Sequence, residues 1–162
     1  MIDHQKINEH FNITFIIFLA LLTGMILVFA VSIWLVQSDE FVPNTDMDNL
    51  FQIIIPLLGL TAMFISRYLY NKQVMKYDKS SDLISKLNFY RTFKIISFAL
   101  IEGAGFFTII GFMITENYLY VFVFVFLIGF LFMIRPSREG FVSDFKISGD
   151  EAEHVLRRTG QR

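Results

Sequence analysis

Cysteine is absent from this chain, and so are the short motifs that mark common enzyme classes. Without cysteine the protein has no disulfide bond, no thiol nucleophile and no thiolate–metal site. The sequence also lacks a glycine-rich phosphate loop, a GxSxG nucleophile elbow and an HExxH zinc motif. Its three histidines, His4, His10 and His154, do not have the spacing of metal ligands. We therefore predict a protein that is not an enzyme and that holds no metal ion and no cofactor.

Apolar residues, in contrast, are present in excess. Of the 162 residues, 54% are hydrophobic and 20 are phenylalanine, and the mean hydropathy is +0.54. A water-soluble domain of this size has too little interior to bury so much apolar surface. The apolar residues also fall into uninterrupted runs, which is typical of helices that cross a lipid bilayer. These features predict an all-α integral membrane protein, with the lipid bilayer as its first partner.

Four apolar runs predict a bundle of four membrane-spanning helices, over residues 13–36, 50–70, 93–115 and 118–134. The first run has roughly 24 residues and would be about 36 Å long as a helix, enough to cross a hydrocarbon core of about 30 Å. It ends in bulky residues around Trp34, whereas a cleaved signal peptide needs small ones. We interpret it as a retained span. The predicted bundle covers residues 1–134, and a cytoplasmic tail covers residues 135–162.

The distribution of lysine and arginine predicts the orientation of the bundle. The connections between spans one and two and between spans three and four contain neither residue, whereas residues 67–94 contain seven. The C-terminal tail contains six and the N-terminal tail one. Basic residues collect on the cytoplasmic side of membrane proteins, so both termini are predicted to be cytoplasmic in a plasma (inner) membrane. The net charge of −1 does not support nucleic acid as a partner.

The basic connection over residues 71–92 predicts an amphipathic helix that lies on the cytoplasmic membrane surface before span three. Its start is marked by Ser80 and Ser81 before Asp82, and Leu83, Ile84, Leu87 and Tyr90 follow at helical spacing. Basic residues near this surface are predicted to contact lipid headgroups or a partner protein, because anionic lipids attract such side chains. These residues are Lys86, Arg91, Lys94, Arg135 and Arg138.

Two short helices are predicted in the C-terminal tail. Phe141 and Phe145 lie four residues apart, which is typical of a helix with one apolar face, and we expect this helix to lie on a surface. After residue 150 the run EAEHVLRR has acids at its start and arginines at its end. That order complements the dipole of a helix.

Glu102 is the only acidic residue inside a predicted span, about 10 Å into the apolar part of span three. An ionised carboxylate facing lipid costs at least a few kcal/mol, so this side chain is expected to face the bundle. It would then form a hydrogen bond to Thr23, Ser66 or a backbone carbonyl, or pair with Arg67, Arg91 or Lys94. It could equally carry an ion or proton, or bind an outside partner.

Small residues around Glu102 predict a site of close helix packing. Ala99 and Gly103 lie four residues apart, the spacing of a small-xxx-small contact between membrane helices. Whether the second helix belongs to this chain or to another protein is open. Further residues predicted to serve helix packing are Gly105, Gly111, Gly24, Gly59 and Pro56.

Two resemblances concern the second half of the chain. The segments KLNFYR (86–91), ALIEG (99–103) and RPS (135–137) resemble a group of uncharacterised four-span inner-membrane proteins of bacteria, chiefly Bacteroidota. This resemblance implies a fold and a compartment but no activity. Ala99 to Glu102 is also similar to the ion-binding helix of rotary ATPase proteolipid (c-type) subunits, which implies that Glu102 carries a proton or sodium ion. Span two lacks the glycine repeat of those subunits, and the connection to span three is much longer than theirs.

Two classes of function are consistent with these observations. The first is a non-catalytic accessory or assembly subunit that docks onto a larger inner-membrane complex, or that forms a homo-oligomer. The second is a small oligomeric transporter or ion-conducting protein that uses Glu102 as its carrier group.

Overall fold

The computed structural model describes residues 4–38, 44–78 and 81–156 of the chain, and this part is helical with no β-strand. A short 3₁₀ turn, Thr45–Met47, precedes the second helix. The α-helices are α1 (His4–Gln37), α2 (Asp48–Lys76), α3 (Leu83–Thr115), α4 (Leu119–Met133), α5 (Arg138–Phe145) and α6 (Asp150–Leu156). The predicted all-α class is confirmed.

Three helices, α1, α2 and α3, are long and apolar enough to cross a membrane. With 15 residues, α4 rises about 22 Å, which is less than the roughly 30 Å of a hydrocarbon core. It reaches spanning length only if it is counted together with α5, from which it is bent by 69°. The described chain therefore has three candidate membrane spans, or four if this bent pair is one span.

The four longest helices run in alternating directions and have a basic end and an opposite end. At the basic end, the start of α1, the end of α2 and the start of α3 meet α5 and α6. They form the basic-end core, which consists of Ile7, Phe11, Tyr70, Val74, Leu83, Leu87, Tyr90, Phe141, Phe145, Ile147 and Val155. At the opposite end, Phe29 of α1, Ile55 of α2 and Phe112 of α3 pack with Tyr120 of α4.

The outer surface of the long helices is as apolar as their interior. Ile53, Trp34, Phe64 and Phe122 are between 67% and 74% exposed, although they are among the most hydrophobic side chains in the chain. A soluble monomer rarely exposes a continuous apolar surface of this kind, whereas hydrocarbon solvates it at no cost. The surface is therefore compatible with a multi-pass membrane protein.

The central helix is α3, which packs against α1, α2 and α4. Two glycines allow this close approach. A Cβ added at Gly105 would overlap Met25 of α1, and one added at Gly111 would overlap Ile55 of α2. The absence of a side chain at these two positions leaves room for the tips of the Met25 and Ile55 side chains, so that α1 and α2 pack closely against two different sides of α3.

Asp82 caps the start of α3, which agrees with the predicted helix start at this point of the chain. Its side chain accepts a hydrogen bond from the Ser85 backbone N–H, and hydrogen bonding to Ser85 lowers the pKa of the Asp82 carboxyl. The amphipathic residues predicted to form a helix before span three are helical, and they are not a separate element. From Leu83 the chain forms one continuous helix as far as Thr115. No residue between the amphipathic and apolar parts interrupts the backbone hydrogen bonds, so the amphipathic part is the first turns of α3.

The prediction that Phe141 and Phe145 lie on a helix was correct, but the expected surface-lying position was wrong. Both side chains are at most 2% exposed, and they pack against Tyr90, Phe11 and Tyr77. The helices α1, α2 and α3 extend beyond the apolar runs and offer an apolar surface of their own. Burying two phenylalanines there stabilises the fold more than leaving them at an interface with water.

Candidate functional site

Glu102 lies at the border between the packed and the outer face of α3. Gly105 faces α1 and Gly103 faces outward. At about 100° per residue, Glu102 is placed about 60° from Gly105 around the helix and about 100° from Gly103. Its side chain is half-buried.

The predicted hydrogen-bond partners of Glu102 do not contact it. Thr23 is exposed, and the Ser66 hydroxyl, although buried, has no hydrogen-bond partner. The Lys94 ammonium donates instead to the Ile134 carbonyl, over 3.0 Å. Within the part of the chain that the structure describes, Glu102 forms no hydrogen bond or ion pair. The described residues therefore do not supply the expected partner, because Glu102 lies at the edge of the interhelical contact rather than inside it.

The predicted helix-packing residues fall into two groups. Gly105, Gly111 and Gly59 face neighbouring helices, and a Cβ added at Gly59 would lie 3.6 Å from Leu127 of α4. The other group comprises Ala99, Gly103 and Gly24. Ala99 and Gly103 are exposed, and a Cβ added at Gly103 or Gly24 would have no neighbour within 4 Å among the described atoms. We refer to the exposed strip of small residues formed by Ala99 and Gly103 on α3, with Glu102 beside it, as the outer groove.

A polar cluster, which the sequence did not reveal, joins α2, α3 and α5 at the basic end. The Tyr70 hydroxyl donates a hydrogen bond to Asp144, over 2.5 Å. The Tyr90 hydroxyl donates to the Ser137 carbonyl and accepts from the Ser137 backbone N–H. Ser137 also caps α5 through its side chain, which accepts from the Gly140 N–H. These bonds fix α5 against the ends of the long helices.

Lys94 is at the centre of this cluster. Its ammonium lies 4.7 Å from the ring centroid of Tyr70 and 5.4 Å from that of Tyr90, and both distances are typical of cation–π contacts. Its hydrogen bond to the carbonyl of Ile134 satisfies an acceptor at the end of α4. A sequence offers no signal for such an arrangement, because the members lie 40 to 74 residues apart.

A pocket of about 260 Å³ opens beside this cluster. Arg67 and Arg135 are exposed on its wall, and Lys94 and Asp144 line it together with the buried Ser66. The remaining lining residues are Tyr70, Asn71, Ser97, Met133, Ile134, Ser137 and Gly140. Three cationic side chains and one carboxylate give this pocket a net positive charge.

The other predicted headgroup contacts have different surroundings. Lys86 is buried along the start of α3, and Arg91 is half-buried. The Arg138 guanidinium is directed into the protein, where it donates to Asn8 of α1 and to the Val155 carbonyl of α6. It also lies 5.2 Å from the ring centroid of Phe11. Arg138 therefore connects the first and last helices.

A second polar cluster closes the opposite end of the bundle. Asp48, at the start of α2, accepts hydrogen bonds from the Asn117 amide, the Tyr120 hydroxyl and the Gln52 amide. Asn117 lies in the tight turn between α3 and α4. The carboxylate thereby holds this turn against α2.

Taken together, the fold is that of an all-helical bundle with three to four helices of membrane-spanning length and a packed helical cap at one end. Comparisons with models of protein families, with curated proteins and with solved structures give no match.

Proposed function

We propose that the chain is a four-span integral protein of a bacterial inner membrane, with both termini in the cytoplasm. Two observations support this topology. The helices alternate in direction, and the described lysines and arginines lie toward the basic end, where positive charge is retained on the cytoplasmic side. In this topology α4 crosses the bilayer without α5, as a short span can where the bilayer thins around it, and the bend after α4 places α5 against the basic-end core.

Within that topology, we propose that the protein is a non-catalytic accessory or assembly subunit that docks onto another membrane protein through the outer groove of α3. One observation carries this proposal: Ala99 and Gly103 face outward beside a half-buried carboxyl that has no hydrogen-bond partner among the described residues. In lipid, small residues let a second helix approach closely, and a polar side chain favours a helix that offers it a hydrogen-bond donor. The proposed partner therefore presents small residues and a donor to Glu102.

Replacing Gly103 by leucine is expected to abolish this association without affecting the fold. The new side chain enters open space in this chain but fills the groove that a partner helix would occupy. A photo-crosslinking amino acid at position 99 is expected to capture one integral membrane protein in intact cells. The same protein is expected to co-purify in stoichiometric amount in mild detergent, and the Gly103→Leu variant is expected to lose it.

Gly129→Leu provides the matched control. Gly129 is an exposed glycine of α4 that also has no neighbour within 4 Å of an added Cβ. The control variant should retain both the crosslink and the co-purifying protein. A monomer that gives no crosslink from position 99 would refute the accessory role. A crosslink to a second copy of this chain would also refute it and would show that the protein is a homo-oligomer.

A second candidate function follows from Glu102 itself. A carboxyl at this depth without a hydrogen-bond partner in the described chain can bind and release a proton or cation when several copies assemble around it. In this case Glu102→Gln is expected to abolish ion flux into proteoliposomes while assembly persists. The accessory role predicts no flux from the unaltered protein, so measuring that flux first separates the two candidates.

A further inference from the structure

The pocket at the basic end combines features that suit a small anion. Arg67 and Arg135 reach it from different parts of the chain, and neither forms an ion pair with a carboxylate among the described residues. Asp144 is the one acidic side chain on the wall, and its Oδ2 already accepts the Tyr70 hydroxyl hydrogen bond. Three positive charges therefore face one negative charge, which leaves the pocket with a net charge of about +2.

Lys94 lies at the inner wall of this pocket. Its position is fixed by the Ile134 carbonyl and by the faces of Tyr70 and Tyr90. An ammonium has three N–H donors, and the Ile134 carbonyl uses one of them. The guanidinium groups at the rim add forked donors that match the geometry of phosphate oxygens.

From this geometry we propose that the pocket binds the phosphate group of an anionic phospholipid, held between Lys94 on its wall and Arg67 and Arg135 at its rim. The location suits a lipid better than a soluble anion. Met133, the last residue of α4, and Ile134, its C-cap, line the same pocket as the charged residues, so in the proposed topology the pocket lies where the spans meet the headgroup layer. Basic pockets between helices at this level are typical sites for anionic headgroups.

A volume of about 260 Å³ admits a phosphate with part of its glycerol, while the acyl chains stay on the apolar outer surface of the bundle. The buried hydroxyl of Ser66 in the same wall has no partner among the described residues, so a nearby polar ligand or water would satisfy it. The inference is independent of docking at the outer groove of α3. Lys94 precedes Gly103 by nine residues and so lies on the opposite side of that helix.

Lipid binding to the purified protein tests this inference. The protein is delipidated in a neutral detergent and titrated with phosphatidylglycerol or phosphatidylcholine, and bound lipid is counted by native mass spectrometry. We expect tighter binding of phosphatidylglycerol. The double variant Arg67→Gln/Arg135→Gln is expected to lose about 25-fold in affinity for it, since each basic side chain near an anionic headgroup contributes roughly fivefold.

The matched control removes two positive charges that lie at the same end of the bundle but outside the pocket. Lys72→Gln/Lys76→Gln changes the end of α2, and neither lysine lines the pocket. We expect this control to bind phosphatidylglycerol within twofold of the unaltered protein. Thermal unfolding of all three proteins in detergent verifies that the substitutions leave the fold intact.

Three results would overturn the inference. Equal binding of the two lipids would show that the phosphate charge is not recognised, and equal losses in the two double variants would show only a general attraction to positive charge. The third result is full displacement of phosphatidylglycerol by inorganic phosphate at about 10 mM, a concentration that would occupy a weak site for a free anion. This result would assign the pocket to soluble phosphate instead of a lipid.

Discussion

Replacing Phe141 by alanine is expected to lower the free energy of unfolding by about 3–5 kcal/mol, the usual cost of removing a buried phenylalanine ring. Its side chain is fully buried in the basic-end core. The ring centroid lies 5.2 Å from that of Tyr90 and 5.8 Å from that of Phe11. The truncation therefore leaves a cavity between three helices and α5. Thermal unfolding in a mild detergent measures the effect.

Phe122→Ala is the matched control for this prediction. Phe122 is 74% exposed on α4, so the same truncation removes surface that lipid or detergent covers. We expect a loss below about 1 kcal/mol there, because few protein contacts disappear. Similar small losses in both variants would mean that α5 lies on the membrane surface, as the spacing of Phe141 and Phe145 had suggested. The basic-end core would then be incorrect.

Replacing Arg138 by alanine is expected to cost about 3 kcal/mol and to release α6 from α1. The substitution removes two hydrogen bonds from a charged donor, to the Asn8 side chain and to the Val155 carbonyl. It also removes the cation–π contact with Phe11. Hydrogen exchange should show faster exchange in α6 and in the first turns of α1, while the middle of α3 stays protected.

Arg91→Ala tests whether this loss comes from the contacts of Arg138 or from its charge. Arg91 lies in the same basic end, and it forms no hydrogen bond or ion pair within the described residues. We expect at most about 0.5 kcal/mol from its removal. If the two arginines gave equal losses, the connection between the first and last helices through Arg138 would not exist in solution.

The position of the helices could be predicted from the sequence, but their exact lengths could not. Each predicted span overlaps one of the helices α1 to α4, because an apolar run and its polar flanks are local properties of the chain. The start of α3 near Asp82 was also predicted from local signals, whereas the cap residue itself came from the structure. Residue 93, the predicted start of span three, lies inside α3, since the amphipathic and apolar parts of this helix share one uninterrupted helical backbone.

The sequence predicted that small residues of α3 allow close helix packing, but it did not predict which side of α3 packs. Gly103 and Gly105 are two residues apart and look alike in the sequence, yet one faces outward and the other meets Met25. The face of α3 that packs is chosen by the positions of α1 and α2 around it. Small residues indicate that another helix can approach closely, but they do not determine on which side of α3 that helix lies.

The sequence by itself determined that this chain forms long apolar helices with its positive charge gathered at one end. Both properties depend on residues that are close together along the chain. The backbone hydrogen bonds of a helix form within the helix itself, and an apolar run of sufficient length favours lipid over water wherever it stands in the sequence. Only the tertiary structure decided which polar groups meet. Tyr70 and Asp144 are 74 residues apart, and Lys94 reaches Ile134 across 40. Such contacts depend on how the helices pack against one another, and no local pattern of residues encodes that packing.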